Sequence, residues 1–137
     1  MKVHKTEVRS IYRDTDQMKF VYHGKYVEFF EIARTEMLRD NGLTYKEIEG
    51  LGFFMPVREV FVKYKNPAFY DEVLVIESVV NEIPTAKVRI EHVIRSKERD
   101  VVVVEGYVEL AIVNAQTMRP TRAPQVFVDL IKKFYEL

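Results

Sequence analysis

The segment Lys25 to Asp40 constrains the fold more than any other. Tyr26, Phe29, Phe30, Ala33, Met37 and Leu38 recur at three- and four-residue intervals, which puts them on one face of an α-helix. Lys25, Glu28, Glu31, Arg39 and Asp40 fall mostly on the other side. Burying the two Phe and the Met contributes roughly 1.5–3 kcal/mol each, so the apolar face must be covered by something large. Asn41-Gly42 ends the helix, because glycine takes the left-handed C-cap conformation without strain. Thr44-Tyr45-Lys46-Glu47 has the Thr-x-x-Glu form of a capping box and opens a short helical turn before Gly50.

The rest of the chain supplies the cover as strands. Val3 to Tyr12 mixes β-branched and charged residues and reads as a first strand. Arg58, Val60, Val62 and Tyr64 alternate with Glu59, Phe61, Lys63 and Lys65 until Asn66-Pro67 breaks the run. Glu72 to Val80 is apolar on both parities, as in a strand buried on two faces. Ala86, Val88, Ile90, His92 and Ile94 alternate with polar residues, and Lys97 to Asp100 forms a charged hairpin loop. Val101 to Val113 reads as a long strand, and Val126 to Tyr135 as a short final helix with Pro124 near its first turn. Short hairpins imply antiparallel pairing, with the last four strands in meander spacing. A five-stranded sheet curled around one long helix gives each element its missing cover, an α+β arrangement of two layers.

A chain of 137 residues without repeats or linkers reads as one domain, 1–137. It contains no cysteine, which excludes a disulfide framework, a Cys zinc site and a Cys nucleophile. Its 21 Lys plus Arg balance 21 Asp plus Glu, which argues against a nucleic-acid partner. The charged start Met1-Lys2-Val3-His4-Lys5 has no apolar stretch of the signal-peptide kind, and Val101 to Val104 is far too short to span a bilayer. The expected location is the cytoplasm, without an integral membrane segment. His4, His23 and His92 lie far apart without ligand spacing, so no metal site is expected.

The chemistry concentrates between the first strand and the helix, in Asp14-Thr15-Asp16-Gln17-Met18-Lys19-Phe20-Val21-Tyr22-His23-Gly24-Lys25-Tyr26. This stretch brings carboxylates into a loop and sets a Tyr-His pair before a helix. It ends at a helix N-terminus, whose free N–H groups and dipole favour developing negative charge. A carboxylate base or nucleophile with a backbone oxyanion site is a minimal kit for acyl transfer. Taken alone, Asp16 is also an ordinary turn residue, and Asp14 reads as a turn or capping residue. His92 sits on the apolar parity of its strand and reads as a satisfied core or interface histidine. Arg58, Lys63, Lys65, Arg89 and Arg95 are candidates to meet phosphates, and Glu31 with Arg34 reads as a structural ion pair.

Tyr12-Arg13-Asp14-Thr15-Asp16, Val21-Tyr22-His23-Gly24-Lys25-Tyr26 and Phe30-Glu31-Ile32-Ala33-Arg34 together resemble the hot-dog acyl-CoA thioesterases of the 4-hydroxybenzoyl-CoA thioesterase and YbgC type. Met55-Pro56-Val57, Tyr64 and Pro67-Ala68-Phe69-Tyr70-Asp71 extend the likeness over most of the chain. The resemblance implies a hot-dog fold and hydrolysis of an acyl group carried on coenzyme A or on acyl carrier protein. It implies Asp16 as catalytic carboxylate, either nucleophile or general base, and the backbone N–H of His23 as carbonyl donor. It puts Tyr22 and Tyr26 beside the substrate, calls for no cofactor, and implies a homodimer or homotetramer with sites at the dimer interface. A non-catalytic module that binds acyl thioesters is the competing reading. A dehydratase would need a His and acid pair on the helix, which offers Glu28 and Glu31 but no His in its middle.

One position departs from the pattern. The family has glycine three residues after the catalytic aspartate, and this chain has Lys19. Lysine there implies a loop that takes a different path or keeps φ negative, and it brings a cation towards Asp16.

Overall fold

The computed structural model describes residues 2–137. In chain order the elements are β1 (His4–Arg9), α1 (Lys25–Asp40), α2 (Tyr45–Gly50), β2 (Phe53–Phe54), β3 (Val57–Tyr64), β4 (Val73–Val79), β5 (Lys87–Ser96), β6 (Val102–Ala111), β7 (Val113–Asn114) and α3 (Gln125–Tyr135). Five strands form one antiparallel sheet in the order β1-β4-β5-β6-β3. The long helix lies on its inner face, with Tyr26, Phe29, Phe30, Ala33, Met37 and Leu38 all buried, as the periodicity requires. This is the hot-dog arrangement.

The order corrects the meander expected for the last four strands. Only β4, β5 and β6 follow one another. β3 crosses to the far side and pairs with β6, with Phe61 opposite Tyr107, while β1 takes the place beside β4. The expected first strand is shorter than Val3 to Tyr12, because Tyr12–Asp14 closes a 3-10 turn. Strand β4 is fully buried on one parity only, through Leu74, Ile76 and Ser78, so it is not a strand buried on two faces. The long strand expected from Val101 to Val113 is interrupted at Ile112. Its end, β7, leaves the main sheet and pairs with β2. Thr44 and Glu47 make the capping box, with Glu47 N–H donating to Thr44 Oγ1 over 3.2 Å. Gly42 has the positive φ of 85° that a C-terminal glycine supplies.

One row of residues shows how helix and sheet fit. His4, Ser78, His92 and Gly106 stand opposite one another across β1, β4, β5 and β6. The Phe30 ring stacks on His92 at 4.6 Å, and a Cβ on Gly106 would lie 3.2 Å from that ring and 2.0 Å from the Phe61 carbonyl oxygen. At the other end of α1, His4 Nε2 lies 2.8 Å from Asp40 Oδ2. Helix α3 closes the core with Phe127, Ile131 and Tyr135, whose hydroxyl donates to the Ser78 carbonyl over 2.9 Å.

His92 departs from the satisfied histidine read from its strand parity. It is 1% exposed and its Nδ1 meets Ser78 Oγ at 3.0 Å, but its Nε2 has no hydrogen-bond partner among the described residues. Burial, assisted by the nearby Arg34 cation, pushes its pKa down to about 3, so the ring is neutral. No helix among the described residues is long and apolar enough to cross a membrane.

Candidate active site

The loop after β1 is fastened before it reaches Asp16. Asp14 is 3% exposed. Its Oδ2 accepts from the Ile11 N–H at 2.8 Å, its Oδ1 lies 3.0 Å from Lys25 Nζ, and its carbonyl accepts from the Tyr22 N–H at 2.7 Å. Hydrogen bonding to Asp14 is the largest cause holding the Lys25 ammonium above its usual pKa. Asp14 therefore caps a turn and ties β1 to the first turn of α1.

Asp16 opens a miniature hairpin in which Thr15 bridges Val21. The Asp16 N–H donates to the Phe20 carbonyl at 2.8 Å, and the Lys19 N–H donates to the Asp16 carbonyl at 3.0 Å. Asp16 Oδ1 accepts from the N–H groups of Met18 (2.8 Å) and Phe20 (3.2 Å), a side-chain turn common for aspartate. Oδ2 has no protein hydrogen bond among the described residues. The carboxylate is thus held by one oxygen and free at the other.

Closing this hairpin requires a left-handed residue at its fourth position, and Lys19 supplies it with φ 68°. This corrects the negative φ expected from the sequence: lysine takes a left-handed conformation, the kind glycine adopts without strain. Its ammonium makes no ion pair with Asp16; the donors around that carboxylate are backbone amides.

Asp16, Met18, Phe20, Val21, His23, Tyr26, Tyr64, Lys65, Asn66 and Pro67 line an open groove of about 330 Å³. Among the residues singled out from sequence, Asp16, His23 and Tyr26 are brought together there, and Tyr22 is not. Tyr22 is 50% exposed and its ring lies against that of His23, 4.2 Å away. Gly24 allows this fold-back, since a Cβ there would come within 2.8 Å of the Tyr22 ring. Tyr26 is 3% exposed, and burial pushes its phenol up to about 12, so it faces the groove as a neutral hydroxyl.

The groove stands at the start of α1, where Gly24 offers no side chain to cap the helix. The His23 N–H has no acceptor among the described residues, and its carbonyl accepts from the Tyr64 hydroxyl at 2.9 Å. Sequence reasoning counted Tyr64 in the family likeness but gave it no role in the site; its position at the end of β3, before the Asn66-Pro67 break, was a second signal. Of the basic candidates, Arg58, Arg89 and Arg95 are engaged by Glu109 (3.2 Å), Glu91 (3.0 Å) and Glu77 (3.3 Å). Lys65 lines the groove and has no acidic partner within 4.0 Å among the described residues. Arg34 is buried and meets Glu31 at 3.5 Å, a pair on the helix rather than in the groove. Among the described residues no group of His, Asp and Glu could hold a metal ion.

A family model described as the thioesterase-like superfamily matches residues 12–131. The chain belongs to that superfamily. An acyl-CoA thioester hydrolase, YbgC, of Escherichia coli is 31% identical over 127 residues, 92% of this chain and 93% of the relative. A putative acyl-CoA thioesterase, YneP, of Bacillus subtilis is 35% identical over 82 residues, 60% of this chain and 59% of the relative. A DHNA-CoA thioesterase from Staphylococcus aureus superposes with a TM-score of 0.89 at 28% identity, over 99% of this chain and 91% of that one.

Proposed function

We propose that this chain hydrolyses an acyl-coenzyme A thioester to the free acid and the thiol, with Asp16 as the catalytic carboxylate. The observation that carries the reading is the pairing of a half-free carboxylate with an unclaimed amide in one groove: Asp16 Oδ2 and the His23 N–H both lack partners among the described residues. The thioester carbonyl accepts from the His23 N–H at the positive end of α1, where the developing oxyanion is stabilised. Either Asp16 attacks the carbonyl carbon, expels the coenzyme A thiolate and leaves a mixed anhydride that water then hydrolyses to the free acid, or it takes a proton from a water that attacks the carbon directly, and that proton goes to the departing thiolate. The two Asp16 amide bonds fix the carboxylate for either course. Membership of the thioesterase-like superfamily and the likeness to YbgC over most of both chains support hydrolysis as the reaction.

Lys65 at the rim, just beyond β3, is the cation we assign to the phosphates of the leaving group, with Lys63 near the end of that strand close to it in sequence. Strand β3 lies at one edge of the sheet with Val57, Val60, Phe61 and Tyr64 exposed, and its end forms a wall of the groove. An edge-to-edge homodimer through β3 covers this apolar strand and completes the site. The competing reading, a non-catalytic module that binds acyl thioesters, drew on Lys19 in place of the family's glycine; the positive φ of 68° at Lys19 keeps the Asp16 turn closed, which supports the catalytic reading.

The test is thiol release from short, medium and aryl acyl-CoA esters by the native protein and by Asp16→Asn. The expected result is turnover that falls by about 10²–10⁴-fold in the variant. No turnover on any ester, with acyl-CoA binding intact, would overturn the proposal.

A further inference from the structure

The charged turn between β5 and β6 reads in the sequence as solvent-facing, yet Arg99 in that turn holds a wall of the groove. Its Nε donates to Glu72 Oε2 at 2.7 Å and its Nη2 to Glu72 Oε1 at 3.0 Å, a two-pronged pair with a carboxylate that is buried. The same Nη2 donates to the Pro67 carbonyl at 2.8 Å, and the guanidinium lies 4.9 Å from the centre of the Phe69 ring. Making both prongs, the ring contact and the carbonyl bond at once takes a planar guanidinium with several donors. Glu72 is further held by Ser96 Oγ (2.5 Å) and the Phe69 N–H (3.1 Å).

What Arg99 holds is what the Asp16 loop hangs on. The Val21 N–H donates to the Ala68 carbonyl at 2.8 Å, and Phe20 bridges Phe69 as paired strand residues with rings 5.5 Å apart. Phe20 in turn accepts from the Asp16 N–H and donates to Asp16 Oδ1. A continuous run of contacts therefore joins Arg99 through Phe69 and Phe20 to the candidate carboxylate. We propose that Arg99 is a positioning residue for the Asp16 loop, acting through the Pro67–Glu72 segment. Its catalytic consequence rests on the reading of Asp16 given above; the order it imposes on the loop does not.

The experiment compares Arg99→Met, Arg99→Lys and a control on the same turn, Lys97→Met, whose ammonium pairs among the described residues with Glu7 at 2.8 Å. Amide hydrogen exchange at Asp16, Phe20 and Val21 is followed by NMR beside kcat and KM for an acyl-CoA ester. In folded Arg99→Met, exchange at these three amides rises about tenfold while the middle of α1 is unchanged, and kcat falls about tenfold with KM nearly constant. Arg99→Lys recovers part of both, and Lys97→Met changes neither. Unchanged exchange in folded Arg99→Met overturns the proposal, as does a loss of kcat that merely follows the melting temperature. A native protein without turnover would sink the thioesterase reading alone, because the exchange arm still decides the positioning role.

Discussion

The Tyr64 hydroxyl donates to the His23 carbonyl over 2.9 Å, which ties an edge strand of the sheet to the turn that leads into the long helix. The bond fixes the peptide after His23, next to the amide proposed to receive the thioester oxygen. Tyr64→Phe removes it while keeping the ring against Tyr26 at 5.8 Å. A partly exposed hydrogen bond contributes about 0.5–1.5 kcal/mol, so the stability loss should be at the lower end. The kinetic loss should be larger, about tenfold in kcat with little change in KM, because sub-ångström misplacement is felt most in the transition state. Steady-state kinetics beside a urea titration separates the two.

Lys19 holds a left-handed conformation at φ 68°, which for a side-chain-bearing residue costs about 1–2 kcal/mol. Lys19→Gly relieves that cost and loses part of the gain to unfolded-state entropy, for a net stabilisation of up to about 1 kcal/mol. Lys19→Val should destabilise instead, since a β-branched side chain fits this region poorly. Denaturation midpoints check both, and Lys19→Gly should keep native kcat if the ammonium has no part in the chemistry.

His92 predicts how stability depends on pH. Its folded pKa of about 3 lies below the ordinary 6.5 of the unfolded chain. Between those values the unfolded chain binds the extra proton, so stability rises with pH across the window and is lost as pH falls from about 6.5 towards 3. One such group gives a slope of up to about 1.4 kcal/mol per pH unit. Chemical denaturation at several pH values should show this component in the native protein, and its absence in a folded His92→Gln.

Gly106 has no room for a side chain. An added Cβ would meet the backbone carbonyl oxygen of Phe61 at 2.0 Å, and a backbone atom on a paired strand cannot turn aside as a side chain can. Gly106→Ala should cost about 3 kcal/mol or more, read as a fall in melting temperature or a failure to accumulate folded protein. Gly24→Ala makes a useful contrast. Its close neighbour is the half-exposed Tyr22 ring, which can swing away, so the penalty should be much smaller.

The parts of the fold legible in the sequence are those set by local periodicity. Tyr26 through Leu38 marked α1 because each apolar side chain is repeated one turn later, and Thr44 with Glu47 marked the start of α2 because the cap lies within four residues. The partner of β3 was not legible. Alternation along Val57 to Tyr64 is the same whether the strand lies beside β4 or beside β6, and only the three-dimensional path of the chain decides. In the site, the motif singled out Asp16, His23 and Tyr26, which do share a groove. It could not indicate the φ of Lys19, which follows from backbone bonds between Asp16 and Phe20. Nor could it separate Arg99 from its neighbours Lys97 and Glu98, because burial of its partner Glu72 depends on a segment far away in sequence.

The open edge of the sheet has a last consequence, for how activity should be measured. Tyr64 and Lys65 stand at the end of a strand that has no neighbour on its outer side among the described residues, so whatever pairs with that strand also lies beside the groove. The edge-to-edge pairing of identical copies proposed above would be governed by mass action. Specific activity per chain should therefore fall on dilution, and a Pro placed at Val60 to spoil strand addition should lower it at every concentration. Rate constants from very dilute assays would then report assembly as much as chemistry, and a sedimentation series run in the assay buffer gives the concentration at which the two part company.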